Sequence, residues 1–395
     1  MKQITKVLAV LLAVAFMLAG CQTADTSWVY SYQDNTMPAG VYICMLLNAY
    51  GDAVNKLQEA QNAELAALQE SVGDDYEVDT ADLISNQEPK KIYKMELDGM
   101  PVSDWMVQQA EKSVREYYAV QNKMQELGLS LRQSDVDSAL ASAASAMQTS
   151  PEFYRKNGIA ESSLALMLQN EYAVHQLFHA LYEEGGEFEV SQEELKSYFG
   201  EKYSKIKMMY FLKANESDLS EEEAADSEQA AKQVEEKNQA LRQKAEGYLT
   251  RLKAGEAIED LHTEYEKEAA KESVEGTDDA VPEVEPTKPG DLDMIVSESQ
   301  SSYYGEPLVR AAFDTALGDA VLTEDDHFFF LVQRVDILED PADLEKYEES
   351  LLHEMRYESD FLPKLEEWGK ALELKVNQAA VSRYVPSKLY HERNA

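Results

Sequence analysis

The stretch PADLEKYEESLLHEMRYESDFLPKLEEWGKALE, residues 341–373, most narrows what this chain can build. Its helical spacing carries Leu344, Leu351, Leu352, Met355, Phe361, Leu362, Leu365 and Trp368. Short helices gain most of their stability by burying an apolar flank, so a helix this apolar needs a partner. The N-terminal helices are the obvious partner, and they lie some two hundred residues away. A segment of different character separates the two. The chain is therefore expected to leave a helical lobe, build something else and return.

The first lobe is written in helical periodicity. Pro38 to about Glu70 repeats Val41, Met45, Ala49, Ala53 and Leu57 at four-residue spacing, an amphipathic stripe. Residues 73–91 are polar and read as a loop. MELDGMPVSDW (95–105) is a turn entering a helix, with Asp104 near its start and Gly128 beyond its end. SLRQSDVDSALASAASAM (130–147) is a second helix, and PEFYRKNG (151–158) a short one stopped by Asn157 and Gly158. A long helix over Glu161–Tyr182 ends at Gly185 and Gly186.

Ser191 and Glu194 then form a capping-box pattern in VSQEELKSYF, and the character changes. KIKMMYFL (205–212) reads as an apolar strand. Residues 216–253 read as a charged helix with Ala224, Ala231, Val234 and Leu241 inward, followed by a second helix in LKAGEAIEDLHTEYEKEAA (252–270). Residues 272–290 are acidic and proline-rich, a mobile loop by composition. EPLVRAAFDTAL (306–317) is a short helix and HFFFLVQRVDI (327–337) a buried strand. The expected fold is mainly α with an α+β insert. A helical lobe spans 38–189, the insert spans 190–337, and a C-terminal helix and tail over 338–395 rejoin the lobe.

The first twenty residues, MKQITKVLAVLLAVAFMLAG, place two lysines before an apolar run that ends in small residues. That is a secretory signal pattern, too short for an ordinary spanning helix. Leu18, Ala19, Gly20 and Cys21 resemble the lipobox of bacterial lipoproteins, which implies acylation of Cys21 as the mature N-terminus. Residues 21–37 would then be a tether and first strand. More than one acyl chain anchors stably without a spanning helix, here on the outer face of a cell membrane. The other cysteine, Cys44, lies in VYICMLL and reads as a small buried hydrophobe.

The formal net charge is -39 over 395 residues. Such a chain repels nucleic acid and anionic headgroups, so no nucleic-acid partner is expected. The acidity serves solubility or attracts basic, unfolded clients. His175 and His179 stand one helical turn apart, but Gln176 occupies the position where a zincin needs Glu, and no third ligand is evident. They read as helix-surface histidines, and no metal is assigned. SEEEAADSE (220–228) lacks the spaced, glycine-centred loop of a calcium site. No nucleophile elbow or phosphate loop appears, and no cofactor is expected. Tyr42, Met45, Tyr50, Trp105, Met106, Tyr117, Tyr118, Met124, Met167 and Tyr172 fall on the helices of the lobe. Most are expected in the core, and a minority along a client groove, where methionine and aromatic surfaces adapt to varied segments.

The order of these parts resembles the PrsA/SurA family of extracytoplasmic foldases, over nearly the whole chain after Cys21. QELGLSLRQSDVDSAL and YRKNGIAESSLALMLQNEYAVHQL are similar to two recurring stretches of that family. VSQEELKSYFGEKYSKIK resembles the entry to its parvulin-type peptidyl-prolyl isomerase domain. The resemblance implies a chaperone that binds unfolded, newly exported polypeptides. It lays the first parvulin histidine on Tyr210 and the second on Phe330, with His327 three residues away. It keeps Tyr265, puts Glu266 where the family has Ser and Glu268 at the Asp or Cys position, and Asp293 at the second structural glycine. Tyr304, Leu308 and Phe313 fall at the apolar, peptide-binding positions. Both histidines are replaced, while isomerisation needs an apolar cradle and orienting polar groups rather than covalent chemistry. Three readings stay open: a chaperone with a degenerate insert, an isomerase with a rearranged site, and a scaffolding lipoprotein.

Overall fold

A computed structural model of the chain describes residues 27–72, 80–215, 217, 227–275 and 280–392. The signal segment, Cys21 and Ala224 lie outside the described residues. Among the described residues no helix is long and apolar enough to cross a membrane. The chain is mainly helical with one strand-bearing insert, and it divides into two compact units. One holds the residues up to Glu189 together with those from Met355 onward, and the other holds Val190–Glu354.

The first unit opens with β1 (Trp28–Tyr32) and β2 (Asn35–Pro38), an antiparallel pair. Helix α1 (Ala39–Val72) follows at once. A Cβ on its Gly40 would stand 2.5 Å from Ser163 Oγ, so this close helix approach requires glycine. The turn in MELDGMP is a hairpin of Glu96–Leu97 and Met100–Pro101. Both its central residues, Asp98 and Gly99, have positive φ, as a primed hairpin turn demands. Then come α2 (Val102–Glu126), α3 (Gln133–Thr149), α4 (Pro151–Asn157) and α5 (Glu161–Tyr182). Tyr42, Met45, Leu46, Val114 and Tyr118 pack with Val29 and Tyr30 in one core, and Tyr118 Oη donates to the Tyr30 carbonyl at 3.0 Å. Ala49, Ala53, Trp105 and Met106 form a second cluster. Most of the Tyr and Met stripe is thus core, with Tyr50, Met167 and Tyr172 half-buried. Cys44 is buried, which pushes its thiol up to about 12 and leaves it unreactive.

The second unit starts with α6 (Gln192–Lys202), whose Ser191–Glu194 capping box is formed. It continues with β3 (Tyr203–Leu212), α7 (Ser227–Lys253), α8 (Ile258–Glu272), β4 (Asp293–Ser297), α9 (Glu306–Asp314), β5 (Ala320–Glu324), β6 (Phe328–Val335) and α10 (Pro341–Leu352). The strands form one antiparallel sheet in the order β4-β3-β6-β5. The inward flank of α7 runs through Ala230, Ala245, Tyr248 and Leu252, with Val234 and Leu241 half-buried. Ala231, expected inward, is exposed, because it sits one residue off that flank and so about 100° around the helix.

The last long helix differs from expectation in its partners. Its first half, α10, packs on α6 and belongs to the insert's unit. The Tyr347 ring meets Phe199 at 5.4 Å and Tyr203 at 5.6 Å, and Lys205 Nζ binds Asp343 at 2.7 Å and Asp293 at 2.9 Å. A π-helical stretch, His353–Phe361, then shifts the phase of the apolar flank. The second half, α11 (Leu362–Ala371), belongs to the first unit. There Phe361 sits among Phe178, Tyr182 and Tyr357, and Tyr182 Oη donates to Asp360 at 2.8 Å. A closing strand, β7 (Lys375–Val376), pairs with β1. The insert therefore runs to Glu354 rather than 337, since aromatic rings on α6 and β3 claim the start of that helix.

Candidate functional site

Alternation along β3 decides what each of its side chains can do, because successive residues point to opposite sheet faces. Met209 and Phe211 turn toward α7 and α8, where Phe211 lies 5.9 Å from the Tyr248 ring and 4.9 Å from the Tyr265 ring. Ile206, Met208, Tyr210 and Leu212 turn to the other face. There Ile206, Val296, Leu308, Ala311, Ala312, Phe330 and Val332 make the cluster that α9 covers.

Tyr210 stands directly opposite Phe330 across β3 and β6, and Phe330 stands opposite Thr323 on β5. Tyr210 is 56% exposed while Phe330 is 7% exposed. The Tyr210 ring meets the edge of Phe328 at 5.7 Å, and Phe328 in turn lies 5.7 Å from Phe330. Tyr304 and Phe313 pack half-buried against this cluster, and Leu308 is inside it. Beside them Tyr303, 81% exposed, holds an edge contact with Tyr304 at 4.7 Å. Leu212 extends the same face and is 61% exposed. The result is an aromatic surface with an exposed rim and an apolar floor. Among the described residues the Tyr210 hydroxyl has no hydrogen-bond partner, and its cross-strand row holds neither imidazole nor carboxylate. Such a row can cradle an apolar segment; it cannot relay a proton between paired bases.

Four residues that the sequence comparison singled out fall elsewhere. Glu268 accepts from Tyr248 Oη at 3.3 Å and binds Lys244 at 2.9 Å, on helices that cover the face opposite Tyr210. Burial, with Glu268 and Glu264 nearby, pushes the Tyr248 phenol up. Asp293 is held by Lys205. His327 sits in the turn before β6, where its backbone N–H donates to Asp325 Oδ1 at 2.7 Å. Tyr265 belongs to the core under Phe211. In the first unit, His175 and His179 lie side by side with their Nε2 atoms 3.1 Å apart, and His179 Nδ1 engages Glu183 at 2.6 Å. Sequence reasoning missed Tyr303, Leu212 and Phe328 as parts of the aromatic face. The period-two pattern of β3 and β6 carried the signal for the latter two.

No protein-family model matches the chain, and no curated protein matches it. Among solved structures it is similar to PrsA from Bacillus subtilis, at 13% identity over 74% of this chain and 96% of that one, with a TM-score of 0.27. It is also similar to the foldase protein PrsA from Streptococcus pneumoniae str. Canada MDR_19A, at 16% identity over 75% and 99%, with a TM-score of 0.31. A third is the foldase protein PrsA from Lactococcus lactis, at 10% identity over 91% and 99%, with a TM-score of 0.29.

Proposed function

We propose that this chain is an extracytoplasmic, lipid-anchored chaperone of the foldase type, tethered at Cys21, that holds unfolded exported polypeptides. The observation that carries the reading is the aromatic face of the insert. Tyr210, Leu212 and Tyr303 are exposed together with the half-buried Phe328, Tyr304 and Phe313, in a chain of net charge -39. Contiguous exposed apolar surface on an otherwise strongly charged protein marks a place where apolar segments dock. The charge keeps the loaded protein soluble and favours basic segments. Tyr210 against Phe330 leaves the face without the paired titratable groups of an isomerase site, so binding rather than catalysis is the role assigned to it.

The test is suppression of light scattering by a chemically denatured model protein on dilution. Equimolar chain is expected to suppress it, and Tyr210→Lys with Tyr303→Lys is expected to weaken the effect several-fold, since two charges interrupt the apolar rim. Scattering unchanged at equimolar chain would sink the reading. In a coupled peptide assay the wild-type chain is expected to leave the prolyl cis–trans rate at its uncatalysed value. For the anchor, Cys21→Ser is expected to abolish metabolic labelling by a fatty acid and release the chain from membranes. Persistent labelling of that variant would refute the Cys21 assignment.

A further inference from the structure

The sheet of the insert has an interrupted edge. β4 pairs with β3 only from Tyr203 to Lys207, while β3 runs on to Leu212. Just past that overlap the Met208 N–H donates to the Leu292 carbonyl at 3.1 Å. Beyond the far end, the Asn238 carboxamide on α7 closes the edge as a strand would. Its Oδ1 accepts from the Ala214 N–H at 2.7 Å, and its Nδ2 donates to the Ala214 carbonyl at 2.9 Å. Between these two closures lie Tyr210 and Leu212. Odd-numbered residues of this stretch direct their backbone groups to β6, as Lys213 does in donating to the His327 carbonyl at 2.8 Å. Even-numbered residues direct theirs outward. The Met208 carbonyl and both backbone groups of Tyr210 and Leu212 therefore face the open side, with no partner among the described residues.

Unpaired N–H and C=O groups on a strand edge are a template for another strand. Most edges are blunted by charge, proline or a bulge, but this one presents Tyr210 and Leu212, both exposed and both apolar. The window from Met208 to Leu212 accommodates about four residues of extended chain at about 3.3 Å each. Its occupant must supply alternating backbone donors and acceptors, which an extended polypeptide does and a helical surface does not. Its apolar side chains would meet Tyr210, Leu212 and Phe328. The segments leading to β4 expose Glu283, Glu285 and Asp291, which favours basic residues beside the apolar ones.

We propose that the Met208–Leu212 edge of β3 captures a short, extended, apolar-and-basic segment of a client polypeptide as an added strand. This rests on the chaperone reading above and specifies how the client is held. Main-chain pairing gives affinity that tolerates varied sequence, while the aromatic face selects alternate side chains.

The experiment uses the purified full chain at about 0.15 M salt, where exposed charges are screened beyond about 8 Å. The probe is a fluorescein-labelled decapeptide alternating Val and Lys, with two isomers N-methylated either at every Val amide or at every Lys amide. Only alternate amides of an added strand point at its neighbour. One isomer is therefore expected to bind at least about tenfold more weakly than the parent, and the other within about twofold of it. Equal effects of the two methylation patterns, in either direction, overturn the proposal. Leu212→Pro removes an outward N–H that the β3–β6 ladder does not use, and prolines are tolerated at such positions. It is expected to weaken the parent peptide at least about tenfold with an unchanged circular-dichroism spectrum. If that variant does not fold, the comparison of methylated isomers on the wild-type chain still decides. A dimer in sedimentation velocity that Leu212→Pro dissociates would assign the edge to a second copy and overturn the proposal. Suppressed aggregation with indistinguishable isomers removes the strand-addition mode alone; absence of suppression removes the chaperone reading beneath it.

Discussion

At the scale of single residues, the Tyr210–Phe330 pair sets what the insert can do. Directly opposed residues on an antiparallel pair have Cβ atoms about 4.5–5.5 Å apart, so two side chains there act on the same ligand. Histidines at both positions would place a titratable pair on the apolar floor. Tyr210→His with Phe330→His is expected to raise the prolyl isomerisation rate in a coupled peptide assay above the wild-type background. Either single substitution is expected to fall short of the double one. A double variant that folds, as judged by circular dichroism, yet shows only the background rate would mean that more than this pair is missing. The family resemblance singled out these two positions, and the strand register sets them opposite each other; alternation alone gives each side chain a face only once that register is fixed. Glu268 could not be read the same way. Its orientation depends on how α8 is rotated over the sheet, which packing around Tyr248 and Lys244 decides and no local pattern records.

At the scale of elements, the helical path from Pro341 to Ala371 is the informative case. Its apolar flank showed that it needed partners, and the length of the flank concealed that it has two sets. The π-helical stretch separating them leaves no mark that composition reveals. Phe361 anchors the second half, fully buried among Phe178, Tyr182 and Tyr357. Phe361→Ala should lower the unfolding free energy of the first unit by about 3–5 kcal/mol, measured by urea denaturation. A loss below about 1 kcal/mol would mean that this ring is not a core anchor. The same segment is clasped from outside: Glu366 on α11 binds Lys112 of α2 at 2.8 Å and also Lys370. Hydrogen bonds from Lys112 and Lys370 hold its carboxyl down at about 2. A carboxylate depressed in the folded state stabilises above its unfolded pKa, and that contribution is lost as pH falls from about 4.5 toward 2. The site is partly exposed, so solvent screening limits the effect to about 0.3–1 kcal/mol. Glu366→Gln should flatten the acid limb of the stability profile in this window and leave it unchanged in shape above pH 6. An unaltered acid limb would show that the clasp contributes nothing.

At the scale of the whole molecule, the chain folds two units from three stretches of sequence, and the seam falls inside a helix. Helical and strand periodicities separate the lobe from the insert clearly enough to count the units. They do not place the seam, because α10 continues the helical pattern of the segment that follows it. What assigns α10 to the insert is specific: Lys205 on β3 bound to Asp343, Tyr203 donating to Glu354, and Leu344 buried where α10 lies on α6. Two fragments test this directly. A fragment of residues 190–354 should unfold in urea as one cooperative transition. A fragment of residues 190–337, ending where the strand pattern ends, would leave the apolar side of α6 uncovered and Lys205 without one of its two carboxylates. Burying a leucine is worth about 1.5–3 kcal/mol, and a partly buried charge-assisted hydrogen bond about 1.5–3 more. The shorter fragment is therefore expected to be less stable by about 3–5 kcal/mol, with a smaller m-value because less surface is buried. Equal midpoints and slopes for the two fragments would return α10 to the helical lobe and with it the seam at 337.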